Sequence, residues 1–263
     1  MRNALTPSGS DLRLSTIDDL MALDAHTWGL TSVQQLPTSD RVLGELRRGI
    51  VSGRIGPGAQ LRETALAQTL GTGRSAVREA VRQLVGEGLV EYRPNRGVYV
   101  RTITAQDSHD LYRAREAIEV NAVHWALIDH ETLDLTALQR AFDRIIAAAA
   151  WSPANRAASL ELIAADLDFH RELVRLARSP RLTRAHETLA AEAQMLMHHQ
   201  PVYPLSDYAA DHTVLLEAIA GRDPAAPERV REHLRLSNEL IVAEITRLRM
   251  AEKGTPSTGG ELP

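Results

Sequence analysis

The sequence predicts a mainly α-helical chain: a small N-terminal block of three helices and a β-hairpin, then an all-helical bundle of six to seven helices. Three observations carry this. Apolar residues recur at three- and four-residue spacing through most of the stretch from Ser39 to about residue 250. The stretch that alternates instead is LVEYRPNRGVYVR at 89–101, split by a Pro-Asn-Arg-Gly turn, which reads as two short strands. Finally, the net charge of −4 hides an uneven distribution. From Thr38 to Thr102 there are 11 Arg against 6 acids, whereas from Ile103 onward 17 basic residues face 24 acidic ones.

Element by element, residues 1–36 are weakly patterned, with Pro7 and Gly9, and read as a tail with a short helix around Thr16–His26. From Ser39 the pattern sharpens. Val42, Leu43, Leu46, Ile50 and Val51 form one apolar stripe, and the GRIGPG run at Gly53–Gly58 ends that helix. A second helix starts near Glu63, uses Leu66, Ala67 and Leu70, and stops at Gly71. A third runs from Arg74 to Gly86 on Val77, Ala80, Val81, Leu84 and Val85. Beyond Thr104 the expected helices are 105–129, 134–150, 154–177, 181–199, 206–220 and 226–250. Thr104 with Asp107 three residues on is a variant of the capping box that opens the first of them. The expected organisation is therefore a flexible extension over 1–37, a basic domain over 38–102, an acidic helical domain over 103–252 and a disordered tail over 253–263.

Composition narrows the function classes. Absence of cysteine excludes disulfides, a thiolate nucleophile and cysteine-based zinc or iron–sulfur sites. Aromatic residues make only 4% of the chain, so the core is aliphatic. No apolar run approaches the roughly 18–20 residues of a membrane span, and MRNALTPSGSDLRLST lacks a signal-peptide h-region. The expected location is cytoplasmic, without a membrane partner.

Helix, helix, turn, helix and hairpin in about 65 basic residues is the order of a winged helix-turn-helix. Arg74, Ser75, Arg78 and Arg82 lie on the N-terminal and outer side of the third helix, opposite its apolar stripe. A recognition helix needs this division, with polar N-terminal side chains at base edges and the apolar side packed inward. The free N–H groups of the helix N-terminus suit a phosphate. The basic turn Arg93–Gly97 can reach a groove or the backbone. Lys253 is the only lysine, and the planar guanidinium that replaces it elsewhere suits phosphate and guanine. These features point to double-stranded DNA.

In the acidic half, most histidines (His109, His124, His130, His186, His198 and His199) read as surface or packing residues. Asp166 and His170 are i and i+4 on one helix face, as a pair of metal ligands must be. His212 and His233 lie on the fifth and sixth predicted helices. One carboxylate and three imidazoles suit zinc, nickel, manganese or iron(II). The spacing alone leaves open a buried polar cluster holding water.

The stretch from Pro57 to Val100 closely resembles the N-terminal domain of GntR-family transcription regulators. The matching residues are Pro57-Gly58, Leu61, Glu63, Leu66-Ala67, Leu70-Gly71, Arg74, Val77-Arg78-Glu79-Ala80, Gly88-Leu89-Val90 and Arg96-Gly97. Thr72-Gly73 and Ser75-Ala76 depart from the usual pattern, and Gly73 removes a side chain that commonly touches phosphate. By position, the resemblance implies that Arg74, Ser75 and Arg78 read DNA and that Arg96 and Gly97 are wing contacts. The C-terminal half resembles the FCD ligand-binding domain of the FadR subgroup, through Leu111-Tyr112, Arg115, Glu119, Asp166, Phe169-His170, Leu173, His212, Leu215-Leu216, Ala218-Ile219, Asp223 and His233-Leu234. That resemblance implies Asp166, His170, His212 and His233 as ligands of a divalent metal, zinc first, with Arg115 meeting the carboxylate of a small effector and Asn238 also lining the pocket. Pro224, Pro227 and a spacing one residue short before His233 are the departures.

The expected function is a repressor that binds a palindromic operator as a homodimer and answers to a small carboxylate or sugar acid bound at or near the metal. A direct metal-responsive regulator is the alternative. A metal-dependent enzyme is a distant third, since no residue is assigned as its general base.

Overall fold

The computed structural model describes residues 38–150, 156–197 and 205–254. The short helix expected near Thr16–His26, the breaks at 151–153 and 200–204, and the tail beyond 254 lie outside the described residues.

The N-terminal block opens with α1 (Thr38–Val51), which buries Val42, Leu43, Leu46, Ile50 and Val51. A short strand, β1 (Gln60–Leu61), leads into α2 (Glu63–Thr69) and α3 (Arg74–Gly86). The wing strands β2 (Val90–Arg93) and β3 (Gly97–Val100) pair antiparallel with Arg93 opposite Gly97. Asn95 and Gly97 take positive φ of 60° and 103°, so the three-residue turn closes with a left-handed bend that glycine at 97 makes inexpensive.

Two details differ from the sequence reading. β1 is an addition to it. This strand pairs with β3 in the sheet order β1-β3-β2, with Leu61 opposite Val98. Two residues carry no alternation to read, and only the partner strand makes them a strand. Val85, counted in the apolar stripe of the third helix, is 37% exposed, because the buried stripe of α3 is Val77, Ala80, Val81 and Leu84. The next position is turned about 100° away from Leu84.

The second half holds seven helices among the described residues. They are α4 (Ala105–Asp129), α5 (Thr136–Ala149), α6 (Arg156–Arg175), α7 (Pro180–Glu187), α8 (Ala190–Met197), α9 (Leu205–Ala220) and α10 (Ala226–Gly254). The start of α4 falls where the capping box puts it. The Thr104 hydroxyl accepts from the Asp107 N–H at 3.1 Å, and the Asp107 carboxylate accepts from the Thr104 N–H at 2.8 Å. The single helix expected over 181–199 is two. The Thr188 hydroxyl donates to the Ala185 carbonyl at 2.7 Å, and the Leu189 N–H bonds back three residues to His186 rather than four. That tightened turn separates α7 from α8.

α4 and α10 are the two longest of the described helices and pack against each other, with α6 packed on α4, and α5 on α6 and α9. The core is aliphatic as expected, with Phe169 among its largest fully buried side chains. It is not wholly apolar. Ser108, Arg115, Glu119, Asp166, His170, His186 and His212 are all buried among the described residues, and all belong to this half. No helix among the described residues is long and apolar enough to cross a membrane.

Candidate metal centre and DNA-reading face

Asp166 and His170 project from one face of α6 beside Phe169, which is fully buried and anchors that face. His212 comes from α9 and His233 from α10. One ligand-type atom from each of Asp166, His170, His212 and His233 lies within 4.8 Å of the others. His212 Nε2 is 2.9 Å from Asp166 Oδ1, and His170 Nε2 is 3.7 Å from the same oxygen. His233 Nε2 lies 3.3 Å from His170 Nε2. The rings of His170 and His233 stack at 5.2 Å, with His212 edge-on to His233 at 4.8 Å. α10 starts at Ala226, and despite the two prolines and the short spacing this brings His233 to the cluster.

The outer nitrogens of two rings are already engaged. His170 Nδ1 lies 2.6 Å from Glu119 Oε2, and His212 Nδ1 lies 2.9 Å from the backbone carbonyl of Tyr208. Both acceptors take an N–H, and with the proton on Nδ1 each ring turns the lone pair of its Nε2 inward. His212 Nε2 is buried without a hydrogen-bond partner among the described residues. Lone pairs facing a carboxylate oxygen in a desolvated space are repulsive unless a proton or a metal cation sits among them. The donor set and its tautomers therefore fit a divalent metal.

The electrostatics agree. Burial raises the Asp166 carboxyl pKa, but His170, His212 and Arg115 outweigh it and hold the group ionised, below the usual carboxylate range. Tyr208 donates its hydroxyl to Asp166 Oδ1 at 2.5 Å, and burial together with that anion keeps the phenol protonated, its pKa well above the usual value. Burial lowers the pKa of His170, while for His233 burial and the neighbouring His212 and His170 lower it further. Neutral imidazole is the form that binds metal. His233 is the least enclosed of the four.

Arg115 is buried on α4, its Nε donating to Glu119 Oε1 at 2.8 Å and its guanidinium 5.0 Å from the centre of the Tyr112 ring. Its charge is close enough to lower the Asp166 pKa. Its Nη2 is a buried donor without a partner among the described residues. Asn238 is not drawn into this group. Its amide accepts from the Ser108 hydroxyl at 2.7 Å and donates to His109 Nδ1 at 2.8 Å.

In the N-terminal block, Arg74, Ser75 and Arg78 stand exposed on α3, and Arg96 and Gly97 stand exposed at the wing. Gly73 caps α3 in an extended conformation without a side-chain hydrogen bond, which leaves the helix N-terminus open. Arg78 is held by Glu63 of α2 at 3.1 Å.

Residues 38–100 match the family described as bacterial regulatory proteins, gntR family, and residues 110–236 match the FCD domain. The chain is 31% identical over 185 residues to the "Probable D-xylose utilization operon transcriptional repressor" of Paenarthrobacter nicotinovorans, spanning 70% of this chain and 79% of the relative. The chain belongs to the GntR family. A solved structure from Rhodococcus sp. RHA1, described as a transcriptional regulator GntR, covers 78% of this chain and 97% of its own at 29% identity and a TM-score of 0.68. The E. coli McbR/YncC structure shares the fold at 20% identity and a TM-score of 0.65, covering 80% of this chain and 99% of its own. As a GntR regulator with an FCD domain, the chain is a DNA-binding regulator of transcription and not an enzyme.

Within this GntR regulator the four expected ligands converge and Arg115 lies beside them. Sequence reasoning missed three contributors. Glu119 entered only as one of the residues that carry the FCD resemblance, with no role of its own. His186, read as surface or packing, is buried with Nε2 3.0 Å from Glu119 Oε1. Tyr208 carried no pattern signal, although its place four residues before His212 puts its carbonyl within reach of that ring.

Proposed function

We propose that this GntR regulator is a repressor which binds a palindromic operator as a homodimer and is controlled by a small organic acid held at or near a divalent metal. Residues 38–102 form the DNA-binding domain in this reading, and residues 103–252 the effector-binding and dimerisation domain. Arg74, Ser75 and Arg78 read the operator from α3, with Arg96 and Gly97 at the wing. The observation that carries effector control is the buried, unpartnered Nη2 of Arg115 next to four converging ligand atoms. A desolvated guanidinium with a spare N–H is built to receive a carboxylate through charge-assisted bonds.

Asp166, His170, His212 and His233 would hold the metal, with zinc first by donor type and nickel, manganese or iron as alternatives. When bound, it would supply a Lewis-acidic point for the effector's oxygens. Arg115 orients the acid from α4. The named relative's connection with D-xylose use fits a sugar-derived effector, and the Arg115 donor favours its acid form. Binding biases the bundle between two arrangements and so changes operator affinity. Such couplings are typically about 1–3 kcal/mol and reciprocal.

The test is a thermal-shift screen of metal-loaded protein against small carboxylates and sugar acids, each repeated after chelation. A ligand at 100 times its Kd adds about 2.7 kcal/mol. A hit that disappears on chelation and also changes operator affinity supports the reading. Operator affinity that follows the metal alone, with no acid effective, replaces it with direct metal sensing.

A further inference from the structure

Glu119 is a fully buried carboxylate on α4, a helix that supplies none of the four cluster residues. Its two oxygens are divided. Oε2 faces His170 Nδ1 at 2.6 Å, while Oε1 takes Arg115 Nε at 2.8 Å and His186 Nε2 at 3.0 Å. Were Glu119 only the counter-charge of Arg115, a two-pronged pairing with that guanidinium would be the stronger arrangement. Instead one oxygen is turned to a ring on another helix, 51 residues away in sequence, and an Arg115 Nη is left unpartnered among the described residues.

We infer that Glu119 is a positioning residue for the metal centre: it fixes His170 as the Nδ1–H tautomer with Nε2 aimed into the cluster, and it braces the effector-facing Arg115 on the same carboxylate. The inference rests on the reading of the cluster as a metal site. A neutral imidazole carries one N–H, and donation of that proton to Glu119 leaves Nε2 bare. Nε2 is the atom 3.3 Å from His233 Nε2 and 3.7 Å from Asp166 Oδ1. His212 receives equivalent support from a backbone carbonyl, which no side-chain substitution at 208 removes. For His170 the support is a side chain, and a carboxylate also makes the ring a more basic ligand. His186 and Arg115 hold Glu119 in turn from α7 and α4, so the carboxylate cannot swing away from His170. Anion capture at Arg115 and metal retention at His170 are thereby linked through one residue.

The experiment measures zinc affinity of the full chain by competition with a chromophoric chelator, using zinc alone as the probe. The proteins are the wild type, Glu119→Gln, Arg115→Met and the Arg115→Met/Glu119→Gln pair. Glu119→Gln is expected to raise the zinc Kd about 10- to 100-fold, and the pair to do the same relative to Arg115→Met. The pair removes both buried charges together, so it answers the question even where Glu119→Gln alone does not fold. In the wild-type protein, nitrogen-15 NMR of the histidines is expected to find His170 protonated on Nδ1 with a strongly downfield proton, a signature that a purely space-filling Glu119 would not create. Unchanged zinc affinity in both comparisons, or His170 protonated on Nε2 in the metal-free wild type, overturns the inference while leaving the metal site in place. A wild type that takes up no zinc, nickel or manganese overturns the metal reading and this inference with it.

Discussion

Arg101 and Glu192, 91 residues apart, join the winged block to the helical bundle. Arg101 Nη1 lies 3.1 Å from Glu192 Oε2 on α8 and also donates to the Gly88 carbonyl at 3.0 Å, just before β2. Its Nη2 reaches Asp107 in the first turn of α4 at 2.5 Å. One guanidinium thus touches the base of the wing, the start of the bundle and α8. α1 of the winged block also packs against α8. Glu192→Ala should lower stability by about 1–2 kcal/mol, since a partly buried charge-assisted bond is lost. It should also reduce the change in operator affinity that zinc or an acid produces. Urea unfolding and operator titrations with and without zinc check both expectations.

Gly88 is tied to the same contact. It holds φ at 70°, and a Cβ placed there would lie 2.0 Å from Glu192 Oε1. Gly88→Ala should destabilise by about 1–2 kcal/mol through left-handed strain, with displacement of the Arg101-bound Glu192 in addition. Gly86, at the end of α3, has open space where a Cβ would stand, with nothing within 4 Å and no positive φ. Gly86→Ala should be neutral or stabilise by up to about 1 kcal/mol. Thermal melts of the two variants should move in opposite directions or differ clearly in size.

DNA reading should separate from folding. Arg74→Ala and Arg78→Ala are expected to weaken operator binding about tenfold or more each, as loss of a base or phosphate contact does. Zinc uptake and helix content should be unchanged. Arg78 is shared with Glu63 in the free protein, so Glu63→Gln should release it and alter operator affinity without any change at the metal cluster. Fluorescence anisotropy on an operator duplex over a salt series measures this, and wild-type binding by Arg78→Ala would sink the assignment of α3.

Acid should act at the capping box. Burial raises the Asp107 carboxyl pKa, but the Thr104 hydroxyl, the Thr104 N–H and Arg101 lower it below the ordinary value. The folded pKa is therefore below the unfolded one, near about 3.9. Ionised Asp107 stabilises the fold above that unfolded value, and its contribution disappears as the pH falls through the folded one. The stability difference between wild type and Asp107→Asn should stay level from pH 7 to about pH 5 and shrink below about pH 4. A difference that instead grows on acidification would contradict the sign.

The two halves of the effector site should also come apart. His212→Ala is expected to abolish zinc uptake and the zinc-dependent rise in Tm. Arg115→Met should keep zinc uptake but lose the thermal shift caused by acids. Breaking the buried Arg115–Glu119 pair should itself cost about 3–5 kcal/mol, so the shift is measured against each variant's own melt.

Much of this architecture is legible locally. The start of α4 follows from Thr104 and Asp107, three residues apart, and the pairing of Asp166 with His170 from one helical turn. The wing follows from alternation around Pro94-Asn95-Arg96-Gly97. The split of α7 from α8 is hidden, because Thr188 and Leu189 suit a continuous helix and only the turn's own hydrogen bonding reveals the break. β1 is hidden because it owes its state to β3.

Short-range chemistry thus sets the helices, their caps, the basic face of α3 and the pairing of Asp166 with His170 on one helix face. Such features act within a turn or two, where spacing fixes direction. Packing alone decides that Glu119 meets His170 and His186, and that Arg101 meets Glu192. Those partners are 51, 67 and 91 residues apart, and a bond between them exists only once the aliphatic core brings their helices into contact.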